Sequence, residues 1–158
     1  MKQFALFVVI TLAIAAWSCG NEFINPYDQI EELPADSTDV ADLDPTSLVG
    51  LHAVIFRPTC ANSGCHDGTF EPDFRTVNST YNTLVGHSII KNDPQNSFAH
   101  RVVPGDPDAS QLLARLTYDI DGNSGIMPLA TEPGSDYPEN REEYIERIRA
   151  WIANGAQR

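Results

Sequence analysis

Two of the three cysteines in this 158-residue chain lie close together in Cys60-Ala61-Asn62-Ser63-Gly64-Cys65-His66, with a histidine directly after the second. Paired thiols followed by an imidazole can do three kinds of chemistry. They can attach a haem through two thioethers, with the histidine as an axial ligand to the iron. The usual form of that motif is C-x-x-C-H, and here two further residues separate the thiols. Asn62-Ser63-Gly64 is small and turn-prone, so the wider loop can bulge and still bring both thiols to one porphyrin edge. Alternatively, the cysteines can close a small disulfide loop, which an oxidising compartment favours. They can also be half of a zinc site, completed by His66 and another histidine.

A low-spin electron carrier needs a sixth iron ligand, commonly Met or His, from elsewhere in the fold. Apart from the initiator, Met127 is the only methionine, and it sits in Gly125-Ile126-Met127-Pro128-Leu129. A core-filling methionine belongs more naturally on a helix face than in such a Gly/Pro-bounded loop, so Met127 is the expected distal ligand. His87 and His100 are the rivals and would give a bis-histidine iron; His52 is expected to pack or to face solvent. Asp119-Ile120-Asp121-Gly122-Asn123 has the alternating oxygens of a calcium loop. Ser124 and Ala130 stand where that loop needs Gly and Glu, so an exposed turn is the expectation.

These residues need elements to position them. Leu48, Leu51, Val54 and Ile55 share one face of a helix starting near Asp44-Pro45-Thr46, with Arg57-Pro58 expected to end it before Cys60. The stretch from Asp67 to Pro104 reads as loops with one or two helical turns or short strands around Tyr81 to Val85 and Ser88 to Ile90. Asp106, with Pro107 at the first helical position, is expected to open a helix that buries Leu112, Leu113 and Leu116. In the last helix Tyr144, Ile145, Ile148, Trp151 and Ile152 form an apolar stripe, with Asn140 and Glu143 as capping box and Gly155 as the stop.

The N-terminus reads as a targeting segment. Lys2 is followed by an apolar run from Phe4 to Trp17, interrupted by Thr11, and then by Ser18-Cys19. The run is shorter than the roughly 20 residues a membrane span needs, so a signal peptide is the better reading. Ala16-Trp17-Ser18-Cys19 resembles the lipobox of bacterial lipoproteins, in which the cysteine is lipidated and becomes the new N-terminus. The alternative is an ordinary secretory signal that leaves Cys19 a free thiol or disulfide partner. From Gly20 to Ser47 the chain holds many Asp and Glu, no Lys or Arg, and Pro26, Pro34 and Pro45, which reads as an extended acidic tether. The net charge of −12 argues against nucleic acid and against electrostatic docking on anionic lipid, and it favours a partner with a basic face.

Further motifs join the heptapeptide: Ile55-Phe56-Arg57-Pro58-Thr59 before Cys60, Pro104-Gly105-Asp106-Pro107 with Ser110 and Leu112, Met127-Pro128, and Ile148-Arg149-Ala150-Trp151-Ile152 with Gly155-Ala156. Together, over roughly residues 48 to 156, they resemble the planctomycete-type and related bacteroidete cytochrome c domains. The resemblance implies one covalent haem c on Cys60 and Cys65, His66 as proximal and Met127 as distal iron ligand. It also implies a haem-bearing core against which the Trp-containing last helix packs. The four-residue gap between the cysteines departs from the common motif and leaves open which maturation machinery attaches the haem.

The expected organisation is a lipoprotein-type signal peptide over residues 1–18, an acidic flexible tether over 19–47 and an all-α, cytochrome c-like haem domain with long loops over 48–158. The expected function is one-electron transfer, without enzymatic bond chemistry, between redox protein partners. The protein would be exported and held by a lipid on Cys19 at a bacterial envelope membrane. Leu112, Leu116, Ile148 and Trp151 are expected to line the haem pocket. A non-haem lipoprotein module with a Cys60-Cys65 disulfide and a haem enzyme such as a peroxidase are the competing classes.

Overall fold

The computed structural model describes residues 40–89, 95, 97–120, 122 and 124–158. The signal peptide, Cys19 and most of the tether lie outside the described residues, as do Ile90, Asp121 and Asn123 of the segments named above. A 3-10 turn, Val40–Asp42, precedes the first helix. Asp44 Oδ1 accepts hydrogen bonds from the backbone N–H and the hydroxyl of Thr46, each at 2.8 Å, and Ser47 then caps helix α1 (Leu48–Leu51) by accepting from Gly50 N at 3.1 Å. A Cβ on Gly50 would collide with the Asp44 carbonyl oxygen, so the chain turns into this helix only with glycine there.

α1 runs directly into a π-helix, His52–Cys60. The expected stop at Arg57-Pro58 does not occur. A proline obstructs an α turn because it lacks the N–H and meets the carbonyl four residues back. The wider π turn moves the register to five residues back, as in the 3.1 Å bond from Ala61 N to Phe56 O, and the helix continues to Cys60.

Helix α2 (Val77–Leu84) emerges from the stretch read as mostly loop. Its cap is reciprocal: Thr76 Oγ1 accepts from Ser79 N at 3.0 Å and Ser79 Oγ accepts from Thr76 N at 3.1 Å. Serine at the third position replaces the Glu or Gln of the usual capping box.

Helix α3 (Gln111–Thr117) begins later than expected. Asp106 caps a separate turn through Ala109 N at 3.1 Å. Ser110 Oγ accepts from Val103 N and donates to the Asp106 carbonyl, which fastens that turn before the helix starts. The chain between α2 and α3 makes isolated bridges, Val85 with Val102 and Ser88 with His100, and no strand forms among the described residues.

Helix α4 (Tyr137–Ala153) starts before the expected cap at Asn140, which instead lies in the first turn and donates from Nδ2 to the Asp136 carbonyl. Burial of Tyr137 and the tolerance of a first helical turn for Pro138 draw the start forward. At the other end Gly155 takes φ 92°. Ala156 N donates to Trp151 O and Gly155 N to Ile152 O, each at 2.9 Å, which completes a Schellman motif.

The described chain is all-α. Its core joins Leu48, Leu51, Ile55 and Phe56 of the first helical stretch with Phe74, Leu84, Val102, Leu113, Leu116 and the buried stripe of α4. α3 packs against α4, and both α1 and the π-helix touch α2 and α4. No helix among the described residues is long and apolar enough to cross a membrane.

Candidate functional site: one cavity with a thiol pair, an imidazole and a thioether

The C-terminal end of the π-helix, the loop after it, α3 and the Met127 loop enclose a cavity of about 650 Å³ with mainly apolar walls. That volume lies within the roughly 300–1,000 Å³ typical of small-molecule and cofactor sites. Ile55, Phe56, Phe74, Leu84, Leu112, Leu116 and Ile148 supply apolar walls; Cys60, Cys65, His66 and Met127 line the same space.

Local hydrogen bonds shape the segment between the cysteines. Cys65 N donates to Asn62 O at 2.9 Å and Asn62 Nδ2 to Thr59 O at 3.2 Å, while His66 N reaches back to Cys60 O at 3.1 Å. Gly64 takes the left-handed φ of 77°, and its N–H donates to Asp67 Oδ2 at 3.0 Å. Asp67 also accepts from Thr69 N, and these backbone donors pull its carboxyl down to about 2. The four-residue gap is therefore taken up by a hydrogen-bonded bulge anchored at both ends.

His66 is held by its Nδ1, 2.9 Å from the Pro72 carbonyl oxygen. A carbonyl only accepts, so Nδ1 carries the hydrogen and Nε2 of the neutral ring keeps its lone pair. The edges of Phe70 and Phe74 bracket the ring at 5.5 and 5.2 Å between centroids. Desolvation holds its pKa below the ordinary histidine value; the Pro72 bond opposes this, and the charges of Arg101 and Arg115 reinforce it. A neutral imidazole of fixed tautomer is the form that binds a metal.

Burial, and then the neighbouring Cys65, push the Cys60 thiol up to about 12, so it stays a thiol at neutral pH. Neither cysteine is in a disulfide. Among the described residues no group of three or more His, Cys, Asp or Glu side chains is set to hold a metal ion. Met127 is placed by a 2.7 Å bond from its N–H to the Arg115 carbonyl oxygen.

The remaining sequence candidates fall elsewhere. Trp151 does not line the cavity, contrary to the expectation: its indole N–H donates to the Gln157 carbonyl oxygen at 2.7 Å, where it locks the end of α4. Its place in the apolar stripe buries it, but one helical turn beyond Ile148, which does line the cavity. His87 and His100 are also outside the lining; His87 sits 3.3 Å from Glu71 and 3.0 Å from the Ser88 carbonyl oxygen. His52 packs in the core with Nε2 3.0 Å from the Phe74 carbonyl oxygen.

Two arginines of the cavity wall escaped sequence reading. Arg101 donates from Nη1 to Glu71 and to the Thr83 carbonyl oxygen, each at 2.7 Å. Arg115 is buried on α3, where its position between Leu113 and Leu116 in an apolar stretch was the one available signal. Its Nη1 and the hydroxyl of Tyr137 are buried with no hydrogen-bond partner, so two residues of the cavity wall hold unsatisfied polar atoms.

Comparison of the chain with protein-family models, with curated proteins and with solved structures finds no match.

Proposed function

We propose that this protein is an exported single-haem c-type cytochrome that carries electrons between redox partners at a bacterial envelope membrane, tethered there by a lipid on Cys19. The observation that carries this reading is the convergence of Cys60, Cys65, His66 and Met127 on one mainly apolar cavity. The donor set fits the cofactor: Cys60 and Cys65 would hold the porphyrin through thioethers, and His66 and Met127 would supply nitrogen and thioether sulfur to the iron. The iron, cycling between ferric and ferrous, supplies the one-electron chemistry.

The chain's own residues do the rest. Pro72 fixes the His66 tautomer, and desolvation keeps that ring neutral and available as a ligand. Apolar walls from Phe56, Leu84, Leu116 and Ile148 exclude water, which together with the Met127 sulfur favours the reduced state. Phe70 and Leu129 line the cavity yet stand half exposed or more, so its mouth reaches the surface, where a partner must approach to exchange electrons.

The test is expression with a cytochrome c maturation system, followed by haem staining of a denaturing gel. Covalent stain that is lost in Cys60→Ala, Cys65→Ala supports the reading. A colourless, unstained wild-type protein ends it.

A further inference from the structure

We propose that Arg115 receives a carboxylate of the group bound in the cavity and ties that carboxylate to the loop carrying Met127. The inference rests on the haem reading above, because a haem brings two propionate carboxylates into the site.

Arg115 is 7% exposed and lines the cavity. One guanidinium nitrogen, Nη2, donates to Ser124 Oγ at 3.0 Å; the other, Nη1, is buried without a partner. Asp119 attracts it electrostatically without a direct ion pair among the described residues, whereas Arg101 on the same cavity wall is engaged directly by Glu71. A buried cation without a directly bonded counter-ion is costly, and a planar guanidinium fork matches a carboxylate with two parallel hydrogen bonds. Nη1, which has no hydrogen-bond partner, is the donor left for an anion that enters the cavity.

The same residue holds the distal loop twice. Its carbonyl oxygen accepts the Met127 N–H at 2.7 Å, and its side chain reaches Ser124, three residues before Met127. A carboxylate on Nη1 would fix the guanidinium, the guanidinium fixes Ser124, and the loop from Ser124 to Met127 is fixed in turn. Arg115 is a positioning residue for Met127 as well as an anion receiver.

The test compares haem-loaded wild type with Arg115→Gln, Arg115→Lys and Arg147→Gln. Arg147 lies on α4 outside this cavity and pairs with Glu143, so its variant removes one charge from the surface only. Two readouts apply: the reduction potential, and the affinity of the ferric protein for added imidazole, which competes with Met127 for the iron. Arg115→Gln should shift the reduction equilibrium at least tenfold toward the ferric form, about 59 mV for a one-electron couple, and raise imidazole affinity at least tenfold. Arg115→Lys keeps the charge without the fork; it should retain most of the potential but still gain imidazole affinity. Arg147→Gln should change neither. Should Arg115→Gln fail to accumulate, Arg115→Lys decides alone, and wild-type imidazole affinity in it overturns the inference. Wild-type values of both quantities in Arg115→Gln also overturn it while leaving the cytochrome reading intact. Absence of covalent haem in the wild type overturns the cytochrome reading itself.

Discussion

His66 Nδ1 lies 2.9 Å from the Pro72 carbonyl oxygen, six residues further along the chain. That one bond decides which ring nitrogen carries the hydrogen in the neutral ring, and it orients a histidine next to a thiol pair. Phe74 N donates in turn to His66 O at 3.1 Å, so the segment from 66 to 74 closes on itself around the ring.

Met127 lines the same cavity and is the proposed distal ligand. In haem-loaded protein, Met127→Ala should abolish the weak long-wavelength absorption band that marks methionine bound to ferric iron. The reduction equilibrium should move at least tenfold toward the ferric form, about 59 mV. An unchanged spectrum would assign the sixth position to another residue.

The cofactor should also be part of the core. At roughly 24 cal/mol for each Å³ left unfilled, a cavity of about 650 Å³ is worth as much as the whole stability of a small domain, on the order of 5–15 kcal/mol. Cys60→Ala, Cys65→Ala should therefore lose most of its helical circular dichroism and its cooperative melt. A far-UV spectrum superimposable on that of the haem-loaded protein would contradict this.

Gly50→Ala should destabilise the haem-loaded protein by about 1–3 kcal/mol, because the new methyl must push the Asp44 carbonyl away from the cap of α1. Chemical denaturation reads this as a lower midpoint at unchanged slope. A midpoint equal to wild type would mean that the turn yields at no cost.

Stability should fall in mild acid through His52. Burial lowers its folded pKa, against which the Phe74 carbonyl bond works. The unfolded chain takes up the proton first, near the ordinary value of about 6.5. His52 therefore contributes fully above that pH, and its contribution is lost as pH drops through the lower folded value. His52→Gln keeps a donor for Phe74 O and cannot titrate, so between pH 7 and pH 5 its melting temperature should decline less than that of wild type. Parallel declines would rule His52 out as the source.

Local pattern made α4 legible: the stripe Tyr144, Ile145, Ile148, Trp151, Ile152 is buried, and Gly155 ends the helix. Its start was not, because Asn140 offers cap chemistry while the burial of Tyr137 carries the helix further back. α2 was obscured by a serine standing where a capping box usually has Glu or Gln. Arg57-Pro58 signalled a stop that a π turn overrode. Trp151 is buried as the stripe and the resemblance imply, yet it lies outside the cavity lining, because a stripe says which residues are buried without saying against what.

The sequence by itself determined which atoms are available: two thiols with a histidine, one methionine in a Gly/Pro-bounded loop, and helices whose apolar periodicity is encoded within a few residues. Tertiary structure alone decided that Cys60, Cys65, His66 and Met127 share one cavity, that Pro72 sets the imidazole tautomer, and that Arg115 is buried beside them with a donor unpaired. Periodicity is a property of neighbours three or four residues apart. Met127 is more than fifty residues from His66, and what brings them to one space is the packing of α3 on α4 and of α4 on the first helical stretch, which no local pattern states.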